Sequence, residues 1–314
     1  MPPVSEHAIE LAVLGGSGFY DMPGLEDVDE CLVQTPFGDP SDAIRVGNLD
    51  GHRVAFLARH GRHHTLLPGE LPQRANMWAL KSLGVQAVLA VSAVGSLRED
   101  FAPGDLVVPD QLIDRTRGAR PSTYFGGGVV AHVAFAEPFC PELRAAAQRA
   151  AAAAGAVAHD GGSYVVIEGP AFGTRAESEL YRTWGASVVG MTAIPEAKLA
   201  REAELCYAVL AAVTDYDAWH PGHDAVDARA VFAVLQQNAA LSREIVGEIV
   251  RALPLSEGCS CRTVLDAALV TPPSAIDDAA SQRLGPILAR RLGGRSSHAA
   301  EHRSDGREPS GVLQ

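Results

Sequence analysis

The sequence predicts an α/β protein, a central β-sheet flanked by helices, on three observations. Short apolar runs end in glycine-rich turns: Leu11–Leu14 into Gly15-Gly16-Ser17-Gly18, Arg53–Ala58 into Arg59-His60-Gly61, and Ala87–Val91 into Ser92-Ala93-Val94-Gly95. Such continuous apolar runs suit strands covered on both faces. Between the second and third run, Leu71–Leu83 repeats apolar residues at helical spacing and is stopped by Gly84, which completes a strand-helix-strand unit.

The remaining elements follow in order. Pro141–Gly155 is an alanine-rich helix, Tyr164–Ile167 a strand, Arg175–Trp184 a helix and Ser187–Val189 a short strand. Pro195, suited to a first helical turn, opens a helix running to about Cys206. Tyr207–Val213 is the next strand and ends at Thr214-Asp215-Tyr216-Asp217; Ala228–Leu253 has a long helical period. From about Gly294 the chain turns to Ser, Arg, His and Glu without periodicity, so residues 1–293 read as one domain and 294–314 as a disordered tail.

Composition narrows the function. A net charge of -12 over 314 residues argues against a general nucleic-acid binder, which needs clustered Lys and Arg to neutralise phosphates. No apolar run reaches the roughly eighteen residues of a membrane span, and MPPVSEHAIE lacks the basic start and apolar centre of a signal peptide, so a cytoplasmic protein without membrane partners is expected. The five scattered cysteines fit reduced thiols better than a disulfide framework. Cys259-Ser-Cys261 could be a redox pair or half a metal site, but no second Cys/His pair at ligand spacing accompanies it, so no metal is expected.

Ligands of open α/β sheets bind beyond the carboxyl ends of the strands, and here those ends are polar. Gly15-Gly16-Ser17-Gly18 could turn backbone N–H groups and a hydroxyl onto an anion, or be a plain tight turn; it matches neither the dinucleotide fingerprint nor a P-loop. Arg59-His60-Gly61-Arg62-His63-His64 gathers cations at a strand end of an acidic protein, as an oxyanion site, a solvated loop or a histidine cluster would. Ser92 and Thr192 add hydroxyls at two further ends, where each could equally cap a helix or turn. Asp215 and Asp217 stand at alternate positions, able to face one side; partial burial would raise a carboxyl pKa and make it a general acid, whereas turn hydrogen bonding is the bland reading.

Together these segments resemble the trimeric purine nucleoside phosphorylase family, and within it the S-methyl-5'-thioadenosine phosphorylases. The likeness runs from about Leu11 to Leu269 through GGSGFY, ARHGRHHTLLP, SAVGSLREDFAPGDLVVPDQLIDRT, AEPFCP, EGPAFGTRAES, MTAIPEAKLAREAELCYA and TDYDAW. The resemblance implies a single-domain mixed central sheet of the nucleoside phosphorylase type, a homotrimer, and no cofactor beyond inorganic phosphate as co-substrate. By the same resemblance Ser17, Arg59, His60, Ser92, the backbone of Ala93 and Thr192 would hold phosphate. Met191 would lie beside the ribose and Phe172 against the purine, with Asp215 and Asp217 facing N7 and the exocyclic amine. His132 would reach a neighbouring subunit's site, and Val231 and Phe232 would line the sugar's 5' end.

The implied reaction is phosphorolysis of S-methyl-5'-thioadenosine to adenine and 5-methylthioribose 1-phosphate. A carboxylate accepts from a 6-amino group, whereas 6-oxopurine enzymes typically carry asparagine at the first aspartate position. The chain departs from the family pattern at Ala171 (usually Arg), Gly173 (Ser) and Gly190 (Asn), which predicts a roomier pocket with fewer direct hydrogen bonds. Three alternatives stay open: another 5'-modified, for example 5'-halogenated, adenine nucleoside; a 6-oxopurine nucleoside; or a non-catalytic nucleoside-binding protein.

Overall fold

A computed structural model describes residues 8–16, 22–118, 120–222, 228–255 and 258–293, the side chains of 228–233 and 235–238 excepted. Ser17 and the tail at 294–314 lie outside the described residues, as do the side chains of Val231 and Phe232. In chain order the strands and helices are β1 (Leu11–Gly15), β2 (Glu26–Cys31), β3 (Ile44–Leu49), β4 (His52–Ala58), α1 (Gln73–Ser82), β5 (Ala87–Ser96), β6 (Leu106–Val108), β7 (Gln111–Arg115) and α2 (Pro141–Ala153). They continue as β8 (Ala158–Asp160), β9 (Ser163–Ile167), α3 (Arg175–Thr183), β10 (Ala186–Gly190), α4 (Ala193–Glu202), β11 (Cys206–Asp215), α5 (Ala228–Arg251), α6 (Leu265–Ala268) and α7 (Asp278–Leu292).

The eleven strands among the described residues join one mixed sheet, with β5 at its centre. The first half of β5 lies parallel between β1 and β11, while its end pairs antiparallel with β10. Side chains alternate across the sheet with period two, and both faces are covered. Tyr207, Val209, Ala211 and Val213 of β11 enter one core with Met77 and Leu80 of α1, Leu199 of α4 and Leu284 and Ile287 of α7. Cys206, Ala208, Leu210 and Ala212 enter the other, with Leu143 and Ala147 of α2 and Ile245 and Ile249 of α5. This two-sided burial is why the strands read as unbroken apolar runs.

The differences from the sequence reading have local causes. Helix α4 stops at Glu202 rather than near Cys206, because Glu204 takes a left-handed conformation (φ 54°) and Cys206 already belongs to β11. Strand β5 runs five residues past Val91, to Ser96, and β11 includes Asp215 as its last residue. The charged β2, EDVDEC, is almost wholly exposed, so it carries no apolar signal. Helix α7 is interrupted at Gly285-Pro286, where Gly285 leaves helical geometry, and its period is correspondingly broken.

Candidate active site

The carboxyl ends of β1, β4, β5 and β11 point the same way, because β1 is parallel to β4 and β5, and β11 to β5. The antiparallel β10 brings a fifth segment back over them. Its register sets Val188 opposite Ser96 and Val189 opposite Gly95. Three residues further on, the same register places Thr192 opposite Ser92, and the two hydroxyls are 3.1 Å apart. Thr192 stands at the N-cap of α4 without making a cap hydrogen bond, so its hydroxyl is turned to Ser92 and the site. Ile194 is non-helical (φ -113°, ψ 128°), so the regular turns of α4 start at Pro195, and the two hydroxyls are the donors offered to an anion at this point.

Near these hydroxyls the buried strands become half-buried at Gly16, His60, Ala93, Gly95, Gly190, Met191 and Asp215, one or two residues at each of five strand ends. Ser92 pairs with Ala211 across the β5–β11 ladder and Gly95 pairs with Asp215. At about 3.3 Å per residue, the hydroxyl pair and Asp215 stand on the order of 10 Å apart along the strands, a span suited to phosphate, pentose and base.

Arg59 is almost fully buried at 2% exposure. Its Nε and Nη2 donate to the Glu196 carboxylate, Nη2 also to the Leu14 carbonyl at 3.0 Å, and Nη1 to the Val91 carbonyl at 3.1 Å. Burial opposes the guanidinium's charge, but the Glu196 ion pair outweighs it and keeps Arg59 protonated. Glu196 also accepts from the Tyr207 hydroxyl at 2.8 Å. Arg59 thus clamps the end of β1 and the middle of β5 to α4, and a second Nη1 N–H is the donor left over for an anion.

His60 Nδ1 donates to the Leu66 carbonyl at 2.8 Å. Burial lowers its pKa to about 4, so near neutral pH the ring is uncharged and Nε2 carries a lone pair. That nitrogen accepts a hydrogen bond, for instance from a protonated phosphate oxygen, whereas the sequence suggests a cluster of cations.

The two aspartates are held separately. Asp215 accepts at Oδ2 from the Thr214 hydroxyl (2.7 Å) and at Oδ1 from the Asp217 N–H (2.8 Å). Asp217, in the left-handed region at φ 48°, accepts from the Ser178 hydroxyl. Burial raises both carboxyl pKa values against these hydrogen bonds, and the Asp215 charge raises Asp217 further. Their approach to β5 depends on Gly95: a Cβ there would lie 2.9 Å from Asp215 Oδ1 and 3.1 Å from Asp217 Cβ.

Two of the departures from the family pattern resolve differently. At Gly190 the expected extra room is filled, since a Cβ would overlap the hydroxyl end of Tyr164, a fully buried side chain. Burial pushes the Tyr164 phenol up to about 12, so it stays a neutral donor. At Gly173 the space is open, the nearest atoms to a Cβ being Asp217 Oδ2 and Ser178 Oγ at 3.9 Å. Phe172 is 44% exposed next to it, Ala171 is exposed too, and Met191 packs so closely on Gly169 that a side chain there would overlap its sulfur.

His132 is exposed and away from this group; its N–H donates to the Ala268 carbonyl at 2.9 Å. Sequence reasoning missed Glu196, Tyr207, Tyr164, Ser178, Gly95 and Arg120. Arg120 joins the Glu168 carboxylate at 2.7 Å to the Met191 and Ile194 carbonyls at 2.6 and 2.9 Å, tying together the loops after β9 and β10. Glu196 alone left a trace in the sequence: an acid on the α4 face whose other members are apolar.

The sequence model of the Phosphorylase superfamily matches residues 10–251, and the chain belongs to that family. Among its relatives, the S-methyl-5'-thioadenosine phosphorylase of Chloroflexus aurantiacus is 57% identical over 284 residues, covering 90% of this chain and 99% of the relative. That of Geobacter sulfurreducens is 52% identical over 278 residues, covering 88% and 97%. The crystal structure of a methylthioadenosine phosphorylase from an Antarctic soil metagenomic library superposes with a TM-score of 0.85 at 46% identity, covering 90% of this chain and all of the other. Methylthioadenosine phosphorylase from Schistosoma mansoni, solved with adenine, gives 0.74 at 38% identity, covering 78% and 91%.

Proposed function

We propose that this chain is a pentosyltransferase that cleaves S-methyl-5'-thioadenosine with inorganic phosphate, giving adenine and 5-methylthioribose 1-phosphate. The observation that carries the reading is the pairing of Ser92 and Thr192 at the α4 N-terminus, with two raised carboxyls at the far end of the same strand pair. Relatives at 50–57% identity bearing that activity support it.

Phosphorolysis places positive charge on the sugar and negative charge on the departing base, so it needs an anion at C1' and an acid at the purine. The hydroxyls, the Ala93 backbone and neutral His60 hold phosphate, with the remaining Arg59 Nη1 N–H and the Ser17 hydroxyl as further donors. Asp215 hydrogen-bonds or protonates N7 while the C–N bond lengthens, and burial, by raising its pKa, favours the protonated form. Asp217 accepts from the 6-amino group, and Phe172 and Met191 cover base and ribose, with Val231 and Phe232 at the 5' end. No cofactor enters this scheme.

The active form is a homotrimer in the cytoplasm. His132 sits on an exposed segment beside Val130 (45% exposed) and Val270 (62%), joined by the Val270 N–H to the Val130 carbonyl, an apolar rim fit to meet another copy and hand His132 to its site. Residues 1–293 act as the catalytic unit. A substrate panel tests the function: adenine should be released from methylthioadenosine only with phosphate present, faster than from adenosine, a 5'-halo analogue or inosine. Faster cleavage of inosine, or tight binding without base release, would overturn it.

A further inference from the structure

Four of the five cysteines, which chain spacing keeps apart, converge at the end of the sheet away from the active site. Cys206 is the first residue of β11 and Cys140 immediately precedes α2. Cys259 and Cys261 come from the turn at Ser260–Thr263. The Cys140 N–H donates to the Tyr207 carbonyl at 2.8 Å and the Cys206 N–H to Gln86 at 3.1 Å, so backbone hydrogen bonds anchor two of the four thiols. All are buried: Cys206 0%, Cys140 1%, Cys261 2% and Cys259 5% exposed.

Their sulfurs all lie within 4.8 Å of one another, with Cys140 and Cys259 3.5 Å apart. With zinc–sulfur bonds of about 2.3 Å, the sulfurs of a tetrahedral tetrathiolate site are separated by about 3.8 Å. The cluster therefore has the dimensions of a shell around one ion and is too tight to enclose a sulfide-bridged iron cluster. Two disulfides would instead sort the sulfurs into two bonded pairs at about 2.05 Å. Four thiolates around a divalent ion leave two negative charges, and cationic side chains stand near: Arg201 interacts electrostatically with Cys261, and Lys81 with Cys206.

We infer that Cys140, Cys206, Cys259 and Cys261 form a structural site for one divalent cation of the zinc class. On binding, four S–H bonds break and four metal–sulfur bonds form, releasing four protons to solvent with no change of oxidation state. The ten residues of β11 separate the cluster from Asp215 by roughly 30 Å, so the ion takes no part in the chemistry at the purine. Its effect is to fasten the 259–261 turn to the start of β11 and to α2. Cys259-Ser-Cys261 looked isolated in the sequence because its partners come from segments more than fifty residues away.

Elemental analysis of the full chain, expressed with zinc in the medium and purified without chelator or nickel, should find about one zinc per chain. Replacing it with Co²⁺ should give the thiolate charge-transfer and intense visible bands of a tetrahedral cobalt thiolate. In Cys261→Ser the zinc content should fall at least about tenfold while phosphorolysis at moderate temperature persists. If that variant does not fold, the wild-type cobalt spectrum decides. Three results would overturn the site: wild-type protein with less than about a tenth of an equivalent of zinc and all five thiols alkylatable, Cys31 included; a denatured, unreduced mass short by the hydrogens of a disulfide; or zinc retained unchanged in Cys261→Ser.

Discussion

Replacing Asp215 with asparagine separates the acid function from the fold, because the hydrogen bonds around the carboxyl can be kept. The new amide oxygen accepts from the Asp217 N–H as Oδ1 does now. The amide nitrogen then donates to the Thr214 hydroxyl, which turns its own proton to the Val94 carbonyl, already 3.2 Å away. Burial raises the Asp215 pKa, so the ionised group costs stability as pH rises above the unfolded carboxyl value, and a neutral amide removes that cost. Asp215→Asn should therefore melt at or above the wild-type temperature at neutral pH.

Its turnover on methylthioadenosine should nevertheless fall by about two to four powers of ten, or about 3–5 kcal/mol in the barrier, as expected for losing a general acid. At saturating phosphate, the wild-type decline in rate on raising pH through the elevated pKa should vanish in the variant. Its relative preference should also shift toward a 6-oxopurine nucleoside. Release of free base from methylthioadenosine and inosine across pH measures turnover, profile and preference, and thermal melts of the same preparations measure stability. Near-normal turnover on methylthioadenosine with an unchanged pH profile would mean that Asp215 is not the acid.

Arg59→Ala should weaken the use of phosphate, and by leaving Glu196 buried and unpaired it should also destabilise the protein by about 3–5 kcal/mol in urea unfolding; unchanged stability would show that the ion pair is not formed. Gly190→Ala forces Tyr164 to move and should cost about 1–3 kcal/mol, and a neutral result would mean that the cavity is open there after all. Gly95→Ala pushes on both aspartates and should lower turnover more than phosphate affinity, seen by comparing kcat with the phosphate KM. His60, with its pKa lowered from 6.5 to about 4, contributes stability present above pH 6.5 and lost as pH falls toward 4, at most about 3 kcal/mol. The difference in urea midpoint between wild type and His60→Gln should narrow over that window, and a constant difference would contradict it.

The strands that form the sheet's centre were legible because β1, β4, β5 and β11 are buried on both faces, which writes long apolar runs into the chain. Helices α1, α2, α3 and α5 were legible from their period and from stops such as Gly84. The exposed edge strand β2 and the interrupted α7 were not, since neither leaves a periodic signal. Polar residues at strand ends announced the site, and the antiparallel return of β10, which seats Thr192 on Ser92, gave the geometry that no spacing reveals. What the sequence hid was complementarity: Glu196 answering Arg59, Tyr164 occupying the room at Gly190, and four distant cysteines meeting. Each depends on residues far apart in the chain that pack within a few ångströms.

If one cavity holds the anion beneath the sugar and the acid against the base, a crystal structure of the protein soaked with adenine and phosphate should show both ligands in it. The anion should lie within hydrogen-bonding distance of Ser92 Oγ and Thr192 Oγ1, and adenine in the same cavity with N7 toward Asp215 and its amine toward Asp217. Adenine bound away from the two aspartates, or phosphate bound away from the two hydroxyls, would contradict it.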